Sequence, residues 1–367
     1  MQYTHIDLAF FTTFALMSDE FYLKRCLELA SLAIGNVNPN PMVGCVIVLD
    51  GKIIGEGYHQ QFGKAHAEPN AVKSVFDRYG ADAENLLLLA TAYVNLEPCA
   101  HFGKTPPCAD LFVKHQLKKV VIGNRDPFDG VDGKGIEKLT NAGIEVISGV
   151  LDAECRHFNR RFFTRIEQKR PYIILKWAET ANGYFATKDG HQKWISGALA
   201  KRLAHQWRTE EDSILIGKQT ALMDNPQLTS REFPGKNPVR LVIDKNLQIP
   251  NTNNVYNSAA KTIIFNEVKT DVVDNIHYIQ MEDMHFYLAQ KIAFQLYLMD
   301  IQSVIIEGGA HILRQFLEAD LWDEARIFTS PNSWDDGIAS PTINGNLTEQ
   351  IQIGKDQLSI YINNSNK

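Results

Sequence analysis

The sequence predicts an α/β protein of two domains, and three observations lead there. Apolar runs of strand length alternate with segments of helical periodicity along most of the chain, the pattern of helices packed on the faces of a sheet. The 367 residues exceed what one core usually organises, at roughly 100–200 residues per domain. Rare residues are segregated, with all five cysteines at or before Cys155 and all five tryptophans at or after Trp177. Two dissimilar halves joined between residues 155 and 177 account for that asymmetry.

The elements follow in order. Residues 1–17 are set aside as an extension, either a mis-assigned start or a disordered arm. The apolar stretch from Ile6 to Met17 is too short to span a bilayer, and no Lys or Arg precedes it to make an export signal. Ser18 is an N-cap candidate for a helix read over Glu20 to Ala33, whose apolar positions run from Phe21 to Ala30 and whose pattern Gly35 ends. Val43 to Leu49 reads as a strand, Asp50-Gly51 as a hairpin turn and Lys52 to Tyr58 as its return. A helix from about Pro69, a strand at Ala92 to Leu96, a helix from about Ala109, a strand at Lys119 to Ile122, a helix at Lys134 to Asn141 and a strand at Ile144 to Ser148 complete the first half.

Between Glu154 and Arg170 the chain turns basic, and the expectation is a solvated connector helix and linker, because charge runs are usually solvated faces. The second half resumes with strands near Tyr172 to Lys176, Ser213 to Ile216, Val239 to Ile243, Lys261 to Phe265 and Val304 to Glu307. Helices are expected near Ala198 to Thr209, His285 to Met299 and His311 to Ala319.

Composition excludes whole classes of function. Charged residues at 22% and hydrophobic residues at 44% fit neither a disordered nor a coiled-coil chain. A net charge of −6 argues against a general affinity for nucleic-acid backbones, so any bound phosphate must be met by a few placed cations. An odd, sparse set of cysteines is no disulfide framework and points to metal binding or catalysis in a cytoplasmic setting.

The strongest chemical signal is His66-Ala67-Glu68 followed by Pro98-Cys99 and Cys108. One imidazole and two thiolates offer zinc three ligands and leave its fourth position open, as in a catalytic rather than a structural site. Zinc there lowers the pKa of a bound water to about 7, and Glu68 is placed to shuttle protons. This is the grammar of zinc-dependent deaminases, except that eight residues, Ala100 to Pro107, separate the cysteines where two are usual. Each ligand alone would more often be a packing residue; the joint pattern at strand-to-helix junctions reverses that. Cys26, Cys45 and Cys155 fall in helix or strand patterns and are expected in the core.

Three segments carry a family resemblance: Asn38 to Gly44 (NPNPMVG), His66-Ala67-Glu68, and Leu96 to Cys108 with its Thr-Pro-Pro-Cys ending. They resemble the deaminase half of the bifunctional riboflavin-biosynthesis deaminase/reductase family. The resemblance implies hydrolytic deamination of a diaminopyrimidine bearing a phosphoribosylamino group, with Asn40, His101 and Lys104 in the substrate pocket. Pro69 departs from the family's small aliphatic residue there, at a position where a first helical turn tolerates proline.

The second half resembles the reductase domain of the same family through Lys176-Trp177-Ala178, Trp194-Ile195-Ser196, Arg208, the run from Thr220 to Arg231, Val242-Ile243-Asp244 and Glu307-Gly308-Gly309. Carried over by position, Ala178, Trp194, Thr220, Asp224 and the segment Gly309, Ala310, His311, Ile312, Leu313, Arg314 and Gln315 would contact NADPH. Gln192, Arg208, Leu228, Arg231 and Glu307 would contact substrate, the two arginines being suited to phosphate by their bidentate fork. Asn182 stands where the family usually has Asp.

The resemblance implies a cytidine-deaminase-like α/β/α sandwich over residues 18–163 and a dihydrofolate-reductase-like α/β domain over 164–367. It implies a cytoplasmic enzyme using Zn2+ and NADPH on a phosphorylated pyrimidine. No nucleic-acid or membrane partner is expected, and a homodimer or higher homo-oligomer through the reductase domain is. The alternatives are a nucleoside or nucleic-acid zinc deaminase with an inactive C-terminal domain, and a non-catalytic zinc module.

Overall fold

The computed structural model describes residues 18–101, 106–188 and 195–365. The chain divides into two compact units. One runs to Ala33 and resumes over Met42–Phe158; the other joins Ile34–Pro41 to the chain from Asn159 onward.

The first unit contains α1 (Asp19–Ser31), β1 (Gly44–Leu49), β2 (Lys52–Tyr58), α2 (Ala67–Tyr79), α3 (Ala83–Leu89), β3 (Thr91–Leu96), α4 (Cys108–Lys114), β4 (Lys119–Asn124), α5 (Lys134–Asn141), β5 (Glu145–Ser148) and α6 (Asp152–Phe158). Its sheet has the order β2-β1-β3-β4-β5, antiparallel at the β2 edge and parallel from β3 to β5. Asp50 and Gly51 both take positive φ, at 49° and 74°, which matches the right-handed twist of a two-residue hairpin. Alternation along β1 sends Cys45 and Ile47 to a face packed with Val72, Phe112 and Leu139. Val46 and Val48 go to the opposite face with Leu23 and Cys26. Helices therefore cover both faces, the three-layer arrangement expected of this half. A Cβ on Gly57 would fall 2.3 Å from the Ala71 nitrogen, so β2 has glycine where α2 lies directly on it. Cys26, Cys45 and Cys155 are fully buried.

The second unit contains α7 (Arg160–Gln168), β6 (Tyr172–Glu179), β7 (Tyr184–Ala186), α8 (Ala198–Glu210), β8 (Ser213–Gly217), α9 (Lys218–Asp224), β9 (Val239–Ile243), β10 (Thr262–Asn266), β11 (Asp271–Val273), β12 (Ile276–Gln280), α10 (Leu288–Leu298), β13 (Ser303–Ile306), α11 (Ala310–Glu318), β14 (Glu324–Thr329), β15 (Ile338–Ala339), β16 (Gly345–Ile353) and β17 (Asp356–Asn363). Ten strands form one sheet in the order β11-β12-β10-β9-β8-β13-β6-β14-β17-β16. From β12 to β14 all neighbours are parallel, so their carboxyl ends share one edge, where ligands of such sheets bind. The core on one face gathers Leu175, Leu215, Ile292, Ile306 and Phe316.

The basic stretch is not the solvated connector its composition predicts. The Arg161 guanidinium binds Glu211, which is 0% exposed, with Nε donating at 2.6 Å. Arg326 reaches the same carboxylate at 3.5 Å, and Arg160 reaches Glu324 at 3.4 Å. Arg170 donates through Nη2 to Asp323 at 2.8 Å. Arg170 and Arg326 are buried, and Arg160 and Arg161 half-buried, because acids from other parts of the second unit pair with them, and removing one partner would leave an uncompensated charge withdrawn from water.

Candidate functional site

In the first unit, two strand-to-helix junctions converge, β2 to α2 and β3 to α4. His66 is the N-cap of α2, Glu68 lies in that helix's first turn, Cys99 follows β3, and Cys108 opens α4. The helix starts at Ala67, two residues before the position Pro69 predicts, and Pro69 still sits in the first turn where its missing N–H has no intrahelical acceptor. His66 Nδ1 lies 3.8 Å from Cys99 Sγ and 3.4 Å from Cys108 Sγ, and the three donor atoms fall within 4.8 Å of one another. Tetrahedral zinc with ordinary bond lengths requires sulfur-to-nitrogen separations of roughly 3.6 Å, so the donor set fits that ion in kind and in spacing.

The charges around the donors fit too. The Cys108 side chain, donating to Cys99, holds the Cys99 thiol at about 4 against the effect of burial. Cys108 is pushed well above its usual range by the same contact and by burial. The thiolate beside His66 raises its imidazole. Glu68 is 3% exposed and its carboxyl is raised by burial, then by Cys99. Its Oε2 has no hydrogen-bond partner among the described residues. An orphaned buried carboxylate oxygen beside three metal donors is what a proton-transferring group needs and what a packing residue avoids.

Of the other residues expected here, His101 is exposed, its ring 5.8 Å from that of Phe128. Lys104 lies outside the described residues. Asn40 belongs to the Ile34–Pro41 segment, which groups with the second unit.

In the second unit a cavity of ≈ 400 Å³ opens at the carboxyl edge of the parallel strands. The expected residues Thr220, Asp224, Arg208, Leu228, Arg231 and Glu307 all line it. Arg208 donates through Nη2 to Glu307 at 2.9 Å and through Nη1 to the Thr229 carbonyl at 3.1 Å, while its Nε is buried without a partner among the described residues. Burial works to raise the Glu307 carboxyl, and Arg208 and Lys176 overcome it, holding it at about 2. Leu228 is buried with φ 54°, a backbone conformation costly for a leucine, and such strain concentrates at ligand sites. Gly309 caps α11, and a Cβ there would sit 3.4 Å from Thr220 Oγ1. Ala310, His311, Ile312, Leu313, Arg314 and Gln315 form the following turns, with Ile312 and Leu313 buried in the core and His311 and Arg314 exposed. Ala178 lies near the carboxyl end of β6, and Gln192 and Trp194 lie outside the described residues.

Sequence reasoning assigned no role to several residues lining this cavity, Lys176 and His205 among them. Lys176 sits 4.0 Å from Glu307, its amine lowered by burial. His205, three residues before Arg208 on α8, is held near 4 by burial and by the repulsion of Arg208 and Arg231. The i, i+3 spacing of His205 and Arg208 was the available signal. Asn182, the departure in this half, is bound into a turn: its Oδ1 accepts from Thr180 Oγ1 at 2.8 Å and its Nδ2 donates to the Trp334 carbonyl at 2.7 Å.

A three-layer unit with His-Cys-Cys donors and a buried acid, followed by a mostly parallel sheet with a cationic cavity, defines a two-domain enzyme pairing a zinc-site deaminase with a reductase. Family models agree: the cytidine and deoxycytidylate deaminase zinc-binding region matches residues 16–124, and the RibD C-terminal domain matches 171–333. The riboflavin biosynthesis protein RibD of Aquifex aeolicus is 39% identical over 325 residues, 88% of this chain and 89% of its own. That of Actinobacillus pleuropneumoniae is 38% identical over 95% of this chain and 96% of its own. The crystal structure of a Thermotoga maritima diaminohydroxyphosphoribosylaminopyrimidine deaminase/5-amino-6-(5-phosphoribosylamino)uracil reductase superposes with a TM-score of 0.85 at 36% identity, covering 94% of this chain and 98% of that one. The chain belongs to the RibD family, the bifunctional deaminase/reductases of riboflavin biosynthesis.

Proposed function

We propose that the chain hydrolyses the amino group from 2,5-diamino-6-(5-phosphoribosylamino)pyrimidin-4-one and then reduces the ribosyl group of the product to a ribityl chain. The observation that carries this reading is the unpartnered Glu68 Oε2 beside the convergent donors of His66, Cys99 and Cys108.

His66, Cys99 and Cys108 would hold zinc, which supplies a Lewis acid that brings the pKa of water to about 7. Glu68 takes a proton at its carboxylate as water adds to the ring carbon bearing the amine, and returns it to the departing nitrogen as ammonia leaves. Burial favours that role by making the protonated form of Glu68 accessible.

In the second unit the residues fit a dinucleotide and an anionic substrate: the glycine start of α11 leaves backbone room, and cations converge on one cavity. NADPH supplies the hydride equivalent delivered to C1 of the ribosyl group. Glu307 fixes the Arg208 guanidinium in orientation, and the exposed Arg231 is available at the cavity wall for phosphate.

A nucleoside or nucleic-acid deaminase with an inert second half is not favoured, because the RibD C-terminal match covers 171–333. No helix among the described residues is long and apolar enough to cross a membrane. Our reading places the enzyme in the cytoplasm, as a homodimer or larger oligomer through the reductase unit. The edge strand β16 supports association, since Leu347 and Ile351 are exposed on it. Incubating the protein with the diaminopyrimidine phosphate, with and without NADPH, tests the function. Ammonia must appear in both cases and NADPH oxidation only after it; NADPH oxidation without ammonia release would overturn the proposed order.

A further inference from the structure

Glu97 lies two residues before Cys99 and is 4% exposed, yet its hydrogen bonds go to backbone amides and not to the metal donors. Its carboxylate accepts four backbone N–H bonds from one segment: Oε2 from Asp126 at 3.2 Å and Gly133 at 3.0 Å, Oε1 from Gly135 at 2.9 Å and Ile136 at 3.1 Å. Gly133 is the N-cap of α5 and has no side chain to satisfy that helix's first amides, so Glu97 caps it from the loop that follows β3. The backbones are pressed together at the same place, for a Cβ on Gly135 would lie 2.1 Å from the Pro98 carbonyl oxygen. The clamped segment also reaches His101, two residues after Cys99, whose ring stands 5.8 Å from that of Phe128.

We propose that Glu97 is a positioning residue: by fastening the segment 126–136 to Pro98 it fixes the Cys99 sulfur on one side and the Phe128–His101 wall on the other. Metal retention and substrate affinity then depend on one carboxylate that contacts neither. The proposal rests on the reading that Cys99 holds zinc and goes beyond it. A plain helix cap would lower stability and leave the metal alone.

The test uses the full-length, zinc-loaded protein with Glu97→Gln, which presents an amide to the four donors, and Glu97→Asp, which retracts the carboxylate by one methylene. The readouts are zinc transfer to a chelating dye, hydrogen exchange at Gly133, Gly135 and Ile136, and KM and kcat for ammonia release, with NADPH oxidation on deaminated substrate as the control for the second unit. Glu97→Gln is expected to speed zinc transfer about tenfold or more and to raise KM more than it lowers kcat, with Glu97→Asp between it and the parent. Faster exchange at the three amides with zinc transfer within about twofold of the parent overturns the proposal. If the Gln variant does not fold, the Asp variant decides by the same comparison. Cys99→Ser separates the two ideas: if it keeps its zinc, the ligand reading fails, whereas loss of zinc there with normal zinc in Glu97→Gln sinks the positioning role alone.

Discussion

The backbone N–H of Cys108 donates to the sulfur of Cys99 at 3.3 Å, so one candidate zinc ligand is polarised by the first amide of the helix that carries the other. A sulfur placed at a helix start is favoured as thiolate, which is the form that binds metal. Cys108→Ser is therefore expected to lower zinc affinity by at least about 100-fold and to abolish ammonia release, with NADPH oxidation on deaminated substrate retained. Metal analysis after dialysis checks it, and full zinc occupancy would sink the ligand assignment.

Glu68→Gln removes the proton carrier and keeps the shape of the buried site. Ammonia release should fall by about 10²–10⁴-fold while bound zinc stays at the parent level. Measuring both on one preparation distinguishes loss of proton transfer from loss of metal.

The Arg208–Glu307 pair, with side chains 11% and 14% exposed, makes a pH prediction. Glu307 titrates at about 2 in the folded protein against its ordinary 4.5, so its stabilising contribution is fully present above pH 4.5 and lost as pH falls towards 2. Glu324, also held at about 2 by Arg326 and Arg160 against burial, acts in the same direction. Thermal unfolding of the second unit should weaken steeply over that window. Glu307→Gln should destabilise by about 3–5 kcal/mol at neutral pH, because it strands a buried guanidinium. An unchanged melting temperature would contradict the pairing.

Asn182→Asp restores the carboxylate common in the family and removes the donor to the Trp334 carbonyl. The expected result is a stability loss of about 0.5–1.5 kcal/mol with the reductase rate within about twofold of the parent, since the side chain serves a turn. A reductase gain of tenfold or more would show that the carboxylate takes part in the chemistry.

The sequence made parts of this structure legible for definite reasons. Asp50-Gly51 marked its hairpin because both residues accept positive φ, and the donor triad was readable because each ligand flanks a strand-to-helix junction. β16 was missed because nearly all its residues are exposed, which leaves no alternation to detect. α7 was misread because its arginines Arg161 and Arg160 look solvated until their acids, 50 and 164 residues away, are brought beside them. Lys176 and Glu307 approach only through the neighbouring of β6 and β13, a pairing no local pattern announces.

The pairing of β17 bears on how the second unit is made. This strand lies inside the sheet, between β14 and β16, and Asp356 on it accepts the Gly197 N–H at the start of α8. Asn363 ties its other end to the Trp322 carbonyl at 2.9 Å. A nascent chain emerging residue by residue therefore holds β14 with an unsatisfied edge, and α8 without its tether, until synthesis has passed residue 363. Over that interval the half-built sheet exposes a template for wrong pairing, so a ribosome that slows or stalls before β17 has emerged endangers the reductase unit far more than the deaminase unit, whose last helix closes at Phe158.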